Sequence, residues 1–132
     1  MIGLDTNVLL RYLANDDPRQ SPIAVRFIER TLTLANPGFV SLVTLAELVW
    51  VLRTRFQATK AEVVTAIEHV LGDAHLKVQD EDAVWLALEQ YEELAVDLAD
   101  ALIASVGQQH GCTHTVSFDK AASRMAGVQS LA

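Results

Sequence analysis

The strongest constraint on this chain is that its short apolar runs pass at once into helix-forming segments. Met1 to Leu4 is apolar and ends at Asp5, and Thr6 to Leu13 continues without an intervening glycine or proline. That order predicts a buried strand leading straight into a helix. Asn15-Asp16-Asp17-Pro18 reads as a turn, and a helix is expected from about Pro18 or Pro22 to Leu34. Its entry is marked by the N-cap-plus-proline pairs Asp17-Pro18 and Ser21-Pro22. Asn36-Pro37-Gly38 breaks the chain, Phe39-Val40 is a brief strand, and Ser41 caps a helix to about Arg55. Thr59 with Glu62 forms a capping box for a helix ending near Gly72, and Leu76 to Val78 is a third strand. Asp80, Glu81 and Asp82 open a helix to about Leu94, well placed against its dipole. Asp97 starts another helix, closed by His110 and by Gly111, which suits a left-handed C-cap. Thr113 to Ser117 is a strand, Asp119 to Met125 a short helix, and Val128 begins a last strand. Strands alternating with helices predict the α/β class, as a three-layer α/β/α sandwich with a short central parallel sheet.

The chain's 132 residues suit one domain, 1–132, with no repeat or linker. Apolar residues make up 51% and charged residues 20%, enough apolar content for a sizeable core and against disorder. The single Cys112 forms no internal disulfide, which points to an intracellular protein. No basic segment precedes an apolar stretch at the N-terminus, so no signal peptide is expected. The most apolar helix, Ser41 to Leu52, is too short for a membrane span and contains Glu47. A cytoplasmic protein is the expectation. The net charge of −7 argues at first sight against a general nucleic-acid binder, which normally carries a basic patch.

The informative feature is the placement of certain acids. Asp5 is the only charge between Met1 and Leu10, and Glu47 the only one between Ser41 and Leu52. At helical offsets Glu47 has Val43, Trp50 and Val51 for neighbours, and Asp100 has Val96, Ile103 and Ala104. Asp119 follows the strand His114 to Val116. Burying an ionised carboxylate without a partner is expensive, and these segments offer no lysine or arginine. Asp5 and Asp119 fall just past strand ends, and Glu47 and Asp100 in first turns of helices. In an open parallel sheet that edge is where sites form. Converging carboxylates repel one another unless a cation joins them, and all-oxygen ligands fit Mg²⁺ or Mn²⁺. Ions so held activate water and stabilise a leaving oxygen in phosphodiester hydrolysis. Plainer roles compete. Asp5, Asp97 and Asp119 could each cap a helix, Glu47 could pair with an arginine such as Arg11, and Asp97 is assigned mainly to capping, with capping-box spacing to Asp100.

Ile2-Gly3-Leu4-Asp5-Thr6-Asn7-Val8-Leu9-Leu10-Arg11-Tyr12-Leu13 resembles the opening of PIN-domain ribonucleases, specifically the VapC-type toxins of bacterial toxin–antitoxin pairs. Ser41 to Leu52, with Ala46-Glu47-Leu48, resembles the family's second motif. Asp97-Leu98-Ala99-Asp100-Ala101-Leu102-Ile103-Ala104 resembles the third, and Val116-Ser117-Phe118-Asp119-Lys120 the fourth. The resemblance implies an α/β/α sandwich and metal-dependent endonucleolytic cleavage of RNA. It implies Asp5 and Asp100 as direct ligands of Mg²⁺ or Mn²⁺, and Glu47 as a ligand or the group orienting the attacking water. Asp119 becomes a second-site or supporting acid. Thr6 and Asn7 match the polar pair after the first Asp, with Asn7 expected to hydrogen-bond an acid or a water. A cognate antitoxin and a homodimer are implied as well. Two bound divalent ions would bring the net charge from −7 to about −3. The acidic block Asp80 to Asp97 would face away from RNA, and Arg11, Arg53, Arg55, Lys120 and Arg124 are candidates to hold phosphates.

Other residues read more plainly. His110-Gly111-Cys112-Thr113-His114 lacks the second Cys or His pair of a zinc site, and a helix end entering a strand explains it. Cys112 is expected in the core, Trp50 and Trp85 as packing residues, and Leu9, Leu10 and Leu13 in the core or a dimer interface. Two other functions stay open. One is a phosphatase with Asp5 as nucleophile, disfavoured because the position two residues on is Asn7 rather than an acid. The other is a non-catalytic domain that binds a metal or a partner.

Overall fold

The computed structural model describes every residue from Met1 to Ala132. The chain forms two compact units, Met1–Gln79 and Asp80–Ala132. In the first, strands β1 (Ile2–Gly3), β2 (Gly38–Val40) and β3 (Leu76–Val78) are hydrogen-bonded in that order and all run parallel. Ile2 stands opposite Gly38, and Gly38 opposite Leu76. Parallel neighbours need crossover connections. Helices α1 (Thr6–Ala14) and α2 (Gln20–Arg26) lie between β1 and β2, and α3 (Leu42–Thr54) and α4 (Lys60–Gly72) between β2 and β3. In the second unit α5 (Glu81–Glu93) packs along α6 (Leu98–Gln109). There β4 (Thr115–Ser117) and β5 (Val128–Ser130) form a parallel pair, linked through a 3-10 turn at Ala122–Arg124. The expected α/β class with a short parallel sheet is what the chain adopts.

Local chemistry sets the element boundaries. Ser41 caps α3 by accepting from the Thr44 amide at 3.1 Å. The Thr59–Glu62 box is complete, with bonds of 2.9 and 3.2 Å. Gly111, at φ +86°, ends the α6 segment in the left-handed region that glycine favours. The segment expected as one helix to Leu34 is α2 followed by a π-helical turn at Phe27–Thr31. It starts at the first proline pair, because the Asp17 carboxylate accepts from the amides of Arg19 and Gln20 at 2.9 and 2.7 Å. Ser21 is therefore buried, with its Oγ accepting from the Asp17 amide. The expected helix from Asp119 to Met125 contracts to the 3-10 turn.

Leu9, Ile28, Leu45, Leu48, Val63, Ile67 and Val70 are fully enclosed. Leu9 and Leu10 thus belong to the core, whereas Leu13 is half-buried. A Cβ on Gly38 would come within 2.8 Å of both Leu4 Cδ1 and Leu32 Cδ1, so a side chain there would force these two core leucines to shift. Three expectations of burial fail. Cys112 is exposed, on the surface stretch between α6 and β4. Trp50 and Trp85 are 61% and 41% exposed. The inner faces of their helices are already filled, by Leu45, Leu48, Val49 and Leu52 in α3 and by Ala83, Val84, Ala87, Leu88 and Tyr91 in α5.

One polar cluster ties α1 to the end of α4. The Tyr12 hydroxyl donates to Asp73 Oδ2 at 2.6 Å, and the His75 amide donates to Oδ1 at 2.9 Å. The Asp73 side chain is only 8% exposed. Burial pushes its carboxyl up, but the bonds from Tyr12 and His75 outweigh that and hold it below the usual carboxylate range. A carboxyl lowered in the fold stabilises above its ordinary pKa, and the gain is lost as pH falls through the lowered value. Tyr12→Phe should therefore cost about 1.5–3 kcal/mol at neutral pH. The gap from wild type should narrow in acid. Urea midpoints across a pH series test this, and a gap independent of pH would refute the charged hydrogen bond.

Candidate active site

Asp5 leaves β1 with extended backbone (φ −85°, ψ 169°) and caps α1, its Oδ1 accepting from the Val8 amide at 2.9 Å. The next residue, Thr6, donates its hydroxyl to Glu47 Oε1 on α3. This bond brings the first and second motifs together. Asp5, Thr6, Asn7 and Glu47 line one open groove of about 420 Å³, with Thr44, Trp50 and Arg55 along its α3 side.

The surroundings of Glu47 differ from expectation. Its helical neighbours Val43 and Trp50 are 79% and 61% exposed, so it stands on an open arc of α3. Arg11 does not pair with it. That guanidinium contacts both carboxylate oxygens of Asp16 at 3.1 Å and Gln20 Oε1 at 2.9 Å. Asn7 likewise donates to Gln20 Oε1, at 3.3 Å, rather than to an acid. Gln20 sits at the start of α2 beside α1, so the nearest polar partner is there.

In the second unit the acids at the motif positions are Asp97, Asp100 and Asp119. Asp100, in the first turn of α6, is half-buried. Burial raises its carboxyl above the usual range, and the charges of Asp97 and Asp119 raise it further. Asp119 follows β4 and accepts from the amides of Ala121 and Ala122 at 2.8 and 3.3 Å. Asp97 occupies the N-cap position of α6, yet its side chain makes no capping bond, contrary to the role expected of it. The expected box with Asp100 does not form. Asp97 instead adds its charge to the field on Asp100.

The ion pairs of the chain join Arg11 to Asp16 and histidines to Asp73 and Asp80. Asp5, Glu47, Asp97, Asp100 and Asp119 have no basic partner. No three or more His, Cys, Asp or Glu side chains stand close enough together to hold a metal ion between them. Residues 2–128 match the family model for the PIN domain.

The chain belongs to the PIN-domain family. PIN domains are nuclease folds and generally hydrolases, and the three-layer α/β/α class follows from membership. Comparison with curated proteins gives no match. No helix of this PIN domain is long and apolar enough to cross a membrane. Of the cations near its motifs, Arg11 is engaged with Asp16, and Arg53 donates to the Ala58 carbonyl at 3.0 Å. Arg55 lines the groove of Asp5 and Glu47, and Lys120 and Arg124 are exposed. Trp50 is the groove residue that sequence reasoning assigned to packing. The available signal was its place one helical turn beyond Glu47.

Proposed function

We propose that this PIN domain is a metal-dependent endoribonuclease in which Asp5, Glu47, Asp100 and Asp119 form the catalytic acid set, with Asn7 supporting it. The observation that carries the reading is the family match over 2–128, with an acid at each of the four motif positions and no base paired to any of them. Its motifs resemble those of VapC-type toxins, and the proposal extends to a cytoplasmic toxin that forms a homodimer and is held by a cognate antitoxin.

The donor set fits Mg²⁺ or Mn²⁺. It consists of carboxylate oxygens alone, and in the second unit the anionic field on Asp100 is uncompensated. Mg²⁺ keeps several waters and takes one or two carboxylates plus substrate phosphates, so it does not need three protein carboxylates at once. Asp5 and Asp100 would be its direct ligands, with Glu47 as a further ligand or as the group that orients water and Asp119 as a second-site or supporting acid. When bound, the ion supplies positive charge that polarises the phosphodiester and acidifies a water. The chain's own part is positional. The Val8 amide fixes one oxygen of Asp5, and the Thr6 hydroxyl holds Glu47 Oε1, which sets the Glu47 carboxylate to accept a proton from water.

Purified protein should cut single-stranded RNA internally with Mg²⁺ or Mn²⁺ and stop in EDTA. Release of phosphate from small phosphomonoesters with RNA left intact would replace this reading with a phosphatase. Metal binding without any hydrolysis would replace it with a binding domain.

A further inference from the structure

The groove holding Asp5 and Glu47 has a feature that catalysis by carboxylates leaves unexplained. Trp50 is 61% exposed, and the inner face of α3 is complete without it. The indole follows Glu47 by three residues, which places the two side chains on one arc of the helix, with Cβ atoms about 5–6 Å apart. Arg55 lines the same groove, about 12 Å from Glu47 along the helix axis. The groove, of about 420 Å³, is open, and its volume falls in the range of small-ligand sites.

Charge adds an independent reason to look for apolar contacts with a nucleic-acid strand. With a net charge of −7 and an isoelectric point near 4.9, the chain is poorly suited to hold RNA by releasing counterions alone. Stacking of bases on an aromatic face needs no basic patch and tolerates any base, because every base presents a π-face.

Resting on the nuclease reading above, we propose that Trp50 is the stacking platform for one nucleobase of a single-stranded substrate. It sets that nucleotide beside Asp5 and Glu47, and Arg55 meets an adjoining phosphate. Trp50 is thus a positioning residue, and its effect falls on substrate affinity rather than on the chemical step.

The test uses the full chain with Trp85→Phe, which leaves Trp50 as the sole indole. Titration with a short oligoadenylate strand, with Ca²⁺ in place of Mg²⁺, should quench its emission. In cleavage assays Trp50→Ala should raise KM about tenfold with kcat nearly unchanged, the scale of losing one base–aromatic stack. Trp50→Phe should recover most of the loss, and the melting temperature of both variants should match wild type because the side chain is outside the core. Active Trp50→Ala with unchanged KM, together with unquenched emission, overturns the stacking role while the nuclease reading stands. Absence of RNA cleavage by the wild type overturns the nuclease reading and this one with it. A fall in molecular mass in solution on Trp50→Ala would show the indole packed against a second copy of the chain, and that also overturns the proposal.

Discussion

Asp100→Asn and Asp5→Asn should each cut RNA at least about 10²-fold more slowly than wild type, the scale of losing one group that stabilises charge in the transition state. Asparagine keeps the shape of the side chain and removes only its charge, so the loss reports the charge. Stability separates a catalytic from a structural acid. Asp100 is raised by burial and by the charges of Asp97 and Asp119. A carboxyl raised in the fold costs stability as pH climbs through its ordinary pKa toward the raised value, and the cost persists above it. In EDTA at neutral pH, Asp100→Asn should therefore melt no lower than wild type, since it relieves like-charge repulsion. Asp5→Asn should also stay close to wild type. Asp5 caps α1, and asparagine caps helices about as well as aspartate. A clear drop in melting temperature for Asp100→Asn, or normal cleavage by both variants, would show these acids to be structural.

Much of the fold was legible because its signals are local. β3 falls at the expected Leu76–Val78, where buried Leu76 and Val78 flank an exposed Lys77, and α4 starts at the Thr59–Glu62 box because both bonds of that box lie within one turn. The proline pairs show the limit of such reading. Asp17-Pro18 and Ser21-Pro22 are equivalent in sequence, and only the bonds from the Arg19 and Gln20 amides to Asp17 decide between them. Burial was harder to read than secondary structure. Trp50 and Trp85 look like core residues by composition, but a helix turns only one face inward, and smaller residues fill that face in both cases. The acid positions were visible as lone charges in apolar segments. Their partners were not, because contacts such as Thr6 to Glu47 join residues 41 apart and depend on how α1 meets α3. Asp97 shows the converse, a residue with the right local pattern for a cap whose side chain makes no capping bond.

Leu45→Ala should destabilise the chain by about 2–5 kcal/mol, because it leaves a cavity where a side chain with no solvent exposure had been. That is a large share of the roughly 5–15 kcal/mol that holds an ordinary domain together. Val43→Ala, two residues earlier on the same helix, should change stability by less than about 0.5 kcal/mol, since Val43 is 79% exposed. Both substitutions shorten one aliphatic side chain, so the contrast isolates which way each faces. Urea unfolding of the two variants measures it, and equal losses would mean that α3 is not oriented as described. The orientation matters for function. With Leu45, Leu48, Val49 and Leu52 turned inward, residues at the same helical period but opposite phase, Val43, Glu47 and Trp50, are turned to the groove. Below its melting temperature Leu45→Ala should therefore retain the wild-type kcat. One helix can then carry the core on one face and an unneutralised carboxylate on the other.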